Sequence, residues 1–326
     1  MITTTHEVSV KGKRKQVPAF RLDDVVVITT GTFPRVAEIF DECWLEADSL
    51  PDPLHVLEQL RAGRRKPDLF TFAQRVPDTQ PRFDFPIVWH NSAVIPISSY
   101  DAWFRDQIPR STRKAIRSSE KRGVVVRAVP FDDAYVRGIM SIYNESPIRH
   151  GRKYWHYGKD FATVHAENGT YRDRSTFLGA YFQGELIGYA KIVWDTRTAA
   201  IMQIVSKMEF FETRPNNALL SEAVRLSSEK GVNYLLYGPL VYGNDAGSSL
   251  IRFKQSNGCV RMDLPRYYVP LTRKGKICLS LGLHRDPKAL VPQWLRRRLV
   301  DIRAKWYARQ TGGDQDPSQA DARGPA

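Results

Sequence analysis

Cysteine is scarce and scattered. Cys43, Cys259 and Cys278 are odd in number, widely separated and without a Cys-x-x-Cys pair, so neither a disulfide frame nor a zinc knot is expected, and the thiols read as reduced and buried. Long apolar runs are also missing. No stretch reaches the roughly 20 residues of a membrane-spanning helix, and the opening MITTTHEVSVKGKRKQV lacks the apolar centre of a signal peptide. A cytoplasmic protein is expected. The seven histidines form no His-Glu-x-x-His spacing and no Gly-x-Ser-x-Gly elbow occurs, which argues against metallohydrolase and serine-hydrolase chemistry.

What is present is an ordinary soluble composition with an excess of positive charge. Of 326 residues, 42% are hydrophobic and 26% charged, enough for a real core in one large or two modest domains. The net charge of +14 and the pI near 9.7 favour polyanions such as tRNA, coenzyme A, nucleotide sugars or anionic lipid surfaces. Charge alone does not choose among them, and a merely soluble surface is the plain alternative.

Periodicity then orders the chain. After a basic leader over 1–18, Phe20–Thr30 reads as a strand, Phe33–Glu46 and Leu54–Arg61 as helices, and Leu69–Gln74 and Ile87–Ile97 as strands. Ser98–Gly123 is a basic helical stretch that Pro109 breaks in two, followed by a strand at Val124–Val129 and a helix at Asp132–Asn144. Thr176–Phe182 and Leu186–Trp194 flank Gln183-Gly184 as a hairpin, with a third strand at Ala199–Ser206. A helix at Pro215–Lys230, ended by Gly231, leads to a strand at Tyr234–Tyr237.

The two halves repeat the strand-helix order without repeating sequence, which predicts an α/β protein of two related subdomains, 19–120 and 121–272. A basic segment over 273–311 and a polar, disordered tail over 312–326 follow. Within that segment, Val291–Gln310 sets Leu295, Leu299, Ile302 and Trp306 on one face among arginines, to pack on the body or to make peripheral contact with anionic lipid.

Three apolar strands, a helix and a further strand, over residues 175–238, resemble the core of the GNAT acetyltransferases. Arg110–Val126 (RSTRKAIRSSEKRGVVV) is similar to the basic helix, lysine-glycine turn and strand of the Fem-type aminoacyltransferases. Ile251–Val260 (IRFKQSNGCV) resembles their Phe-Lys-x-x-x-Gly signature. The resemblance spans residues 98–271 and implies a bacterial acyltransferase of GNAT fold, built from two GNAT-like subdomains in the Fem-like branch. The Gln-x-x-Gly-x-Gly loop of many acetyltransferases is absent, and Glu209–Asn217 (EFFETRPNN) stands in its place.

Acyl transfer to an amine needs a carbonyl held near a neutral amine, donors for the developing oxyanion and a path for the amine proton. No permanent cofactor or metal is required. The start of the Pro215 helix, with Arg214, Asn216 and Asn217, is a candidate seat for a donor phosphate; an ordinary capped helix start is the alternative. The resemblance assigns Lys254 to the donor phosphates or the reaction centre, against a reading as a solvated lysine beside a buried Phe253. It also places Gln203 where a GNAT core opens for the acyl group.

Tyr143–Asp160 (YNESPIRHGRKYWHYGKD) is rich in cationic and aromatic side chains. Arg149, Arg152 and Lys159 suit an anionic acceptor, Tyr154, Trp155 and Tyr157 a sugar or base face, and Glu145 or His156 a proton relay. Tyr237 and Tyr242 are candidate proton donors to a leaving thiolate. Arg113, Arg117 and Lys121 share one helical face, suited to phosphate or simply solvated. The expected reaction is N-acylation of an amine by acyl-CoA as co-substrate. The acceptor is an aminosugar, a peptide amine or a lipid-linked cell-envelope precursor, and the setting is cell-envelope or polysaccharide biosynthesis. An aminoacyl-tRNA donor and a non-catalytic binder of anionic glycan, lipid or RNA are the rival readings.

Overall fold

The computed structural model describes residues 4–10, 13–63, 66–149, 151–241 and 248–285. The expected Val291–Gln310 helix, the tail and Tyr242 lie outside the described residues. Strands β1 (Thr4–Val10), β2 (Lys13–Leu22), β3 (Val25–Thr30) and β4 (Val36–Ile39) precede helix α1 (Pro53–Ala62), β5 (Leu69–Ala73) and β6 (Ile87–Pro96). A short α2 (Tyr100–Ala102) runs into a π turn at Trp103–Gln107. Then come α3 (Arg110–Lys121), β7 (Val125–Val129), α4 (Asp133–Tyr143), β8 (Ile148–Arg149), β9 (Arg152–Lys153) and α5 (Phe161–Asn168). The last stretch holds β10 (Ser175–Phe182), β11 (Glu185–Trp194), β12 (Thr198–Ser206), α6 (Pro215–Glu229), β13 (Tyr234–Leu236), α7 (Ser249–Ser256), β14 (Val260–Pro270) and α8 (Arg273–Ser280).

Twelve strands join in one mixed sheet in the order β1-β2-β3-β4-β5-β14-β6-β13-β12-β11-β10-β7. Each half runs antiparallel strands into a helical crossover and a parallel return, β4-α1-β5 in the first and β12-α6-β13 in the second. The halves then exchange strands. β6 pairs with β13, β14 pairs with β5, and the two exchanged strands pair with each other from Val260↔Val94 to Tyr267↔Ile87. Each exchanged strand is bonded along both edges, so the halves share one sheet.

Local chemistry explains the elements that frame the site. Gln183 and Gly184 both have positive φ, 51° and 86°, as a two-residue hairpin turn matched to strand twist requires. Asp132 caps α4 by accepting from Tyr135 N at 2.8 Å. On one sheet face, Leu219, Leu220, Ala223 and Val224 of α6 pack with Ile116 and Ile251 against the second-half strands. The opposite face carries Val136, Ile139 and Tyr143 of α4 with Val164 of α5. Val56, Leu57 and Leu60 of α1 cover the first half.

The N-terminal expectations need correction. Phe33–Glu46 is not a helix: Val36–Ile39 is paired on both sides, antiparallel to β3 and parallel to β5, and this pairing overrides the helical spacing. The basic leader forms strands, with Val17 and Ala19 buried in β2. Phe20–Thr30 is two strands separated at Asp23, whose φ is 50°. Cys43 is exposed, while Cys259 and Cys278 are buried.

Candidate active site

β12 and β13 run side by side for only three pairs, Thr198↔Tyr234, Ala199↔Leu235 and Ala200↔Leu236. Beyond Leu236 the chain turns to β6, where Tyr237 N donates to Ala93 O and Ala93 N to Gly238 O, both at 2.8 Å. β12 continues to Ser206 with β11 on its other side. Among the described residues no strand pairs with its edge from Ile201 to Ser206. Two parallel strands thus open into a wedge. The chain leaving β12 at Ser206 enters α6 at Pro215, so the positive end of that helix dipole lies at the wedge's open end.

A β-bulge sets which side chains flank this opening. The β11–β12 register passes from Ile192↔Ile201 to Lys191↔Gln203, leaving Met202 as the extra residue. Ala199 and Ile201 therefore face the α6-side core, while Gln203 turns to the α4 side, as Val205 does. Without the bulge Gln203 would share the face of Ile201.

On the α4 side, the Gln203 amide lies 3.1 Å from His156 Nε2. His156 Nδ1 is 3.3 Å from Lys159 Nζ, and that ammonium bonds both Glu167 oxygens at 2.8 and 2.6 Å. An ammonium can only donate, so Nδ1 accepts and Nε2 carries the proton, which the Gln203 side chain accepts only with its amide turned so that Oε1 faces the ring. The Tyr143 ring rests 4.2 Å from the imidazole, and the Tyr143 and Tyr189 hydroxyls bond each other. Burial, with the charges of Lys159 and Arg149, pushes His156 down to about 3. It is neutral near pH 7, so it orients Gln203 and does not take up a proton there.

This placement has a consequence for acid stability. The unfolded chain protonates His156 near its ordinary value of about 6.5, whereas the fold resists until about pH 3. Stability from this group is full above about pH 6.5 and falls as the pH drops towards 3, by at most about 1.4 kcal/mol per pH unit. Urea midpoints between pH 4 and 7 should show a shallower acid slope for His156→Gln than for the wild type; equal slopes would remove His156 as the source.

Glu145 and Arg149 point inward. The Glu145 carboxylate accepts from Met208 N at 2.8 Å, Glu209 N at 2.9 Å and Arg149 Nη2 at 2.8 Å. Arg149 also donates to Ile142 O at 3.0 Å and Ser206 O at 2.9 Å, and its guanidinium lies 4.5 Å from the Tyr154 ring centre. Together they fasten the end of α4 to the end of β12 and the segment entering α6. Arg149 is thus engaged within the protein. Of its expected companions, Arg152 lies in β9, Tyr157 is exposed and Lys159 is paired with Glu167.

On the α6 side, Lys254 is fully buried. Its Nζ donates to Tyr237 O at 2.5 Å and Pro239 O at 2.7 Å and sits 4.3 Å from the Tyr237 ring centre. Burial pushes it down to about 8. Lys254 therefore holds residues 237–239, the wall of the wedge opposite β12. Asn217 Nδ2 donates to Asn257 Oδ1 at 3.2 Å, while Asn257 O accepts from Trp103 Nε1 at 3.1 Å. Sequence reasoning passed over Asn257, whose only signal is its place before Gly258. Arg214 precedes α6 in the left-handed region, φ 61°, with Glu212 at 3.4 Å. Asn216 keeps a buried Oδ1 without a hydrogen-bond partner.

The basic run on α3 is partly spoken for. Arg113 Nη1 donates to Arg105 O and Ile108 O, each at 2.7 Å, so it caps the preceding π turn. Among the described residues no group of three His, Cys, Asp or Glu comes together to hold a metal ion, and no helix is long and apolar enough to cross a membrane.

Comparison with known proteins adds a domain and a fold. Residues 107–254 match the model of the acetyltransferase (GNAT) domain. The crystal structure of FemX superposes with a TM-score of 0.51 at 11% identity, covering 86% of this chain and 90% of that one. The C-terminal domain of a lysylphosphatidylglycerol synthetase described as putative, from Agrobacterium fabrum, gives a TM-score of 0.51 at 11% identity, over 86% of this chain and 88% of that one. At such identities the likeness is one of fold. No curated protein sequence matches the chain. Residues 107–254 thus carry the likeness to the acetyltransferase (GNAT) domain, and the parted strands of the second half belong to a fold shared with FemX.

Proposed function

We propose that the protein moves an acyl group from acyl-CoA to an amine acceptor within the wedge between β12 and β13. The observation that carries this reading is the unpaired edge of β12 from Ile201 to Ser206, since the pairs with β13 stop at Ala200↔Leu236. A pantetheine arm is extended and contains two amides, so it can bond to such an edge as a short strand would. That contact would bring the thioester to the mouth of the wedge and its phosphates towards the α6 start, where Arg214, Asn216 and Asn217 lie.

The reaction forms a C–N bond as the amine attacks the thioester carbonyl and breaks the C–S bond as the tetrahedral intermediate collapses. The amine loses a proton and the thiolate gains one. Backbone N–H groups on the open edge supply oxyanion donors, and the Tyr237 hydroxyl is the candidate acid for the thiolate. An aminosugar, a peptide amine or a lipid-linked envelope precursor fits as acceptor, consistent with a role in cell-envelope or polysaccharide synthesis.

Aminoacyl-tRNA is the second donor, and one observation favours it. Glu145 already occupies the amides of Met208 and Glu209, and Lys207–Arg214 (KMEFFETR) contains no glycine, so this segment offers less backbone to a diphosphate than a glycine-rich loop does. Thermal titration separates the two. CoA at about 100 times its Kd should stabilise the fold by about 2.7 kcal/mol; stabilisation by aminoacyl-tRNA alone would transfer the assignment to tRNA.

A further inference from the structure

Asp68 joins a turn that carries the exposed Phe33 to a helix that carries exposed apolar side chains and cations. Asp68 is the buried hub. Its carboxylate accepts from Arg35 N and Thr272 Oγ1, each at 2.9 Å, and its carbonyl accepts from Leu271 N at 3.0 Å. The turn at Gly31–Arg35 and the start of α8 are thereby tied to one point. α8 lies so close that a Cβ on Gly275 would come within 2.0 Å of Asp68 O, so glycine permits this seating.

The outer side of that seat is apolar. Ile277 and Leu281 are one helical turn apart and 55% and 66% exposed, Leu283 is 50% exposed and Phe33, in the tied turn, 58%. Three large apolar side chains left in water within seven residues, with a fourth on the turn tied to the same aspartate, differ from singly scattered exposed residues. Arg273, Lys274, Lys276 and Arg285 are exposed in the same segment, and Lys66 is exposed beside Asp68. Among the described residues, no acidic side chain lies between Thr272 and Arg285. An interfacial helix needs this combination, with apolar side chains to enter the acyl boundary and cations to meet anionic headgroups.

We infer that this region is a docking surface for an anionic phospholipid bilayer, with Ile277, Leu281, Leu283 and Phe33 entering the interface and Lys274 and Lys276 facing the headgroups. The inference is independent of the donor and rests on residues outside the wedge. Charge complementarity favours lipid over a second copy of the chain, whose identical cations would be brought together by an isologous contact.

The test is co-sedimentation of the full chain with vesicles of equal parts phosphatidylglycerol and phosphatidylcholine, beside vesicles of phosphatidylcholine alone. Binding is expected to the anionic vesicles, at least tenfold weaker without phosphatidylglycerol and several-fold weaker between 0.1 and 0.5 M salt. The Ile277→Asp/Leu281→Asp variant should lose at least tenfold in affinity with an unchanged thermal midpoint. Lys274→Glu/Lys276→Glu should lose a similar factor while keeping both apolar side chains. No binding by the wild type, or equal binding by both variants, overturns the inference. A concentration-dependent dimer that the Asp variant dissociates, without vesicle binding, would overturn it in favour of self-association.

Discussion

Lys254→Met should lower both stability and turnover. The buried ammonium makes charge-assisted bonds to Tyr237 O and Pro239 O, and methionine keeps most of the stem while removing both. Hydrogen bonds to charged groups contribute about 1.5–3 kcal/mol. Part of that is offset because burial already disfavours the charged form, so a net loss of about 2 kcal/mol is expected, or a midpoint lower by about 4–8 °C. Turnover should fall about 100-fold, since residues 237–239 form one wall of the wedge and a displacement of about 1 Å at a reaction centre has that scale.

The pH dependence has a definite sign. The folded value near 8 lies below the unfolded value, so the fold binds fewer protons between about pH 8 and 10.5. Wild-type stability from this group is full above about 10.5 and is lost as the pH falls through 8; the variant lacks that slope. A loss of rate with no loss of stability would instead place the ammonium on the substrate, as the family resemblance implies. Unchanged midpoint and kcat/KM would remove Lys254 from both roles.

Glu145→Ala should be the more damaging to stability. Glu145 and Arg149 are 15% and 10% exposed in their side chains, and removing one partner of a largely buried ion pair costs about 3–5 kcal/mol. The amides of Met208 and Glu209 lose their acceptor as well. Glu145→Gln, which keeps an acceptor oxygen, should recover part of the loss. Arg149→Ala should cost a similar amount, and the double variant little more than either single one, because the two side chains act as one fastener. Denaturant midpoints test the cost, and hydrogen exchange over residues 207–214 tests its location. Additive losses, or unchanged exchange there, would show that the pair does not secure the path into α6.

The second half of the fold was legible because its signals are local. Gln183-Gly184 specifies a turn, Pro215 and Gly231 bracket α6, and the apolar runs of β10 to β12 are long. The exchange of β6 and β14 was not legible, since nothing within Ile87–Pro96 states that its neighbours come from residues 234–236 and 260–267. The helical reading of Phe33–Glu46 failed for the same reason, as β4 is a strand by virtue of β3 and β5.

Residue types were more readable in the site than their directions. The resemblance puts Gln203 near the opening, but the bulge at Met202 that turns it to His156 has no local signature. Arg149 and Lys254 stood out as cations in marked segments. Whether a cation faces a ligand or a row of carbonyls depends on the packing around it, which one sequence does not display.

Hydrogen exchange with acetyl-CoA bound tests the wedge most directly. The amides of Ile201–Ser206 and Asn216–Asn217 should exchange at least tenfold more slowly at saturation, while those of β1 and β2, far along the sheet, should not change. Tight binding of acetyl-CoA with no slowing on the β12 edge would contradict the account, because the donor would then lie elsewhere than between the parted strands.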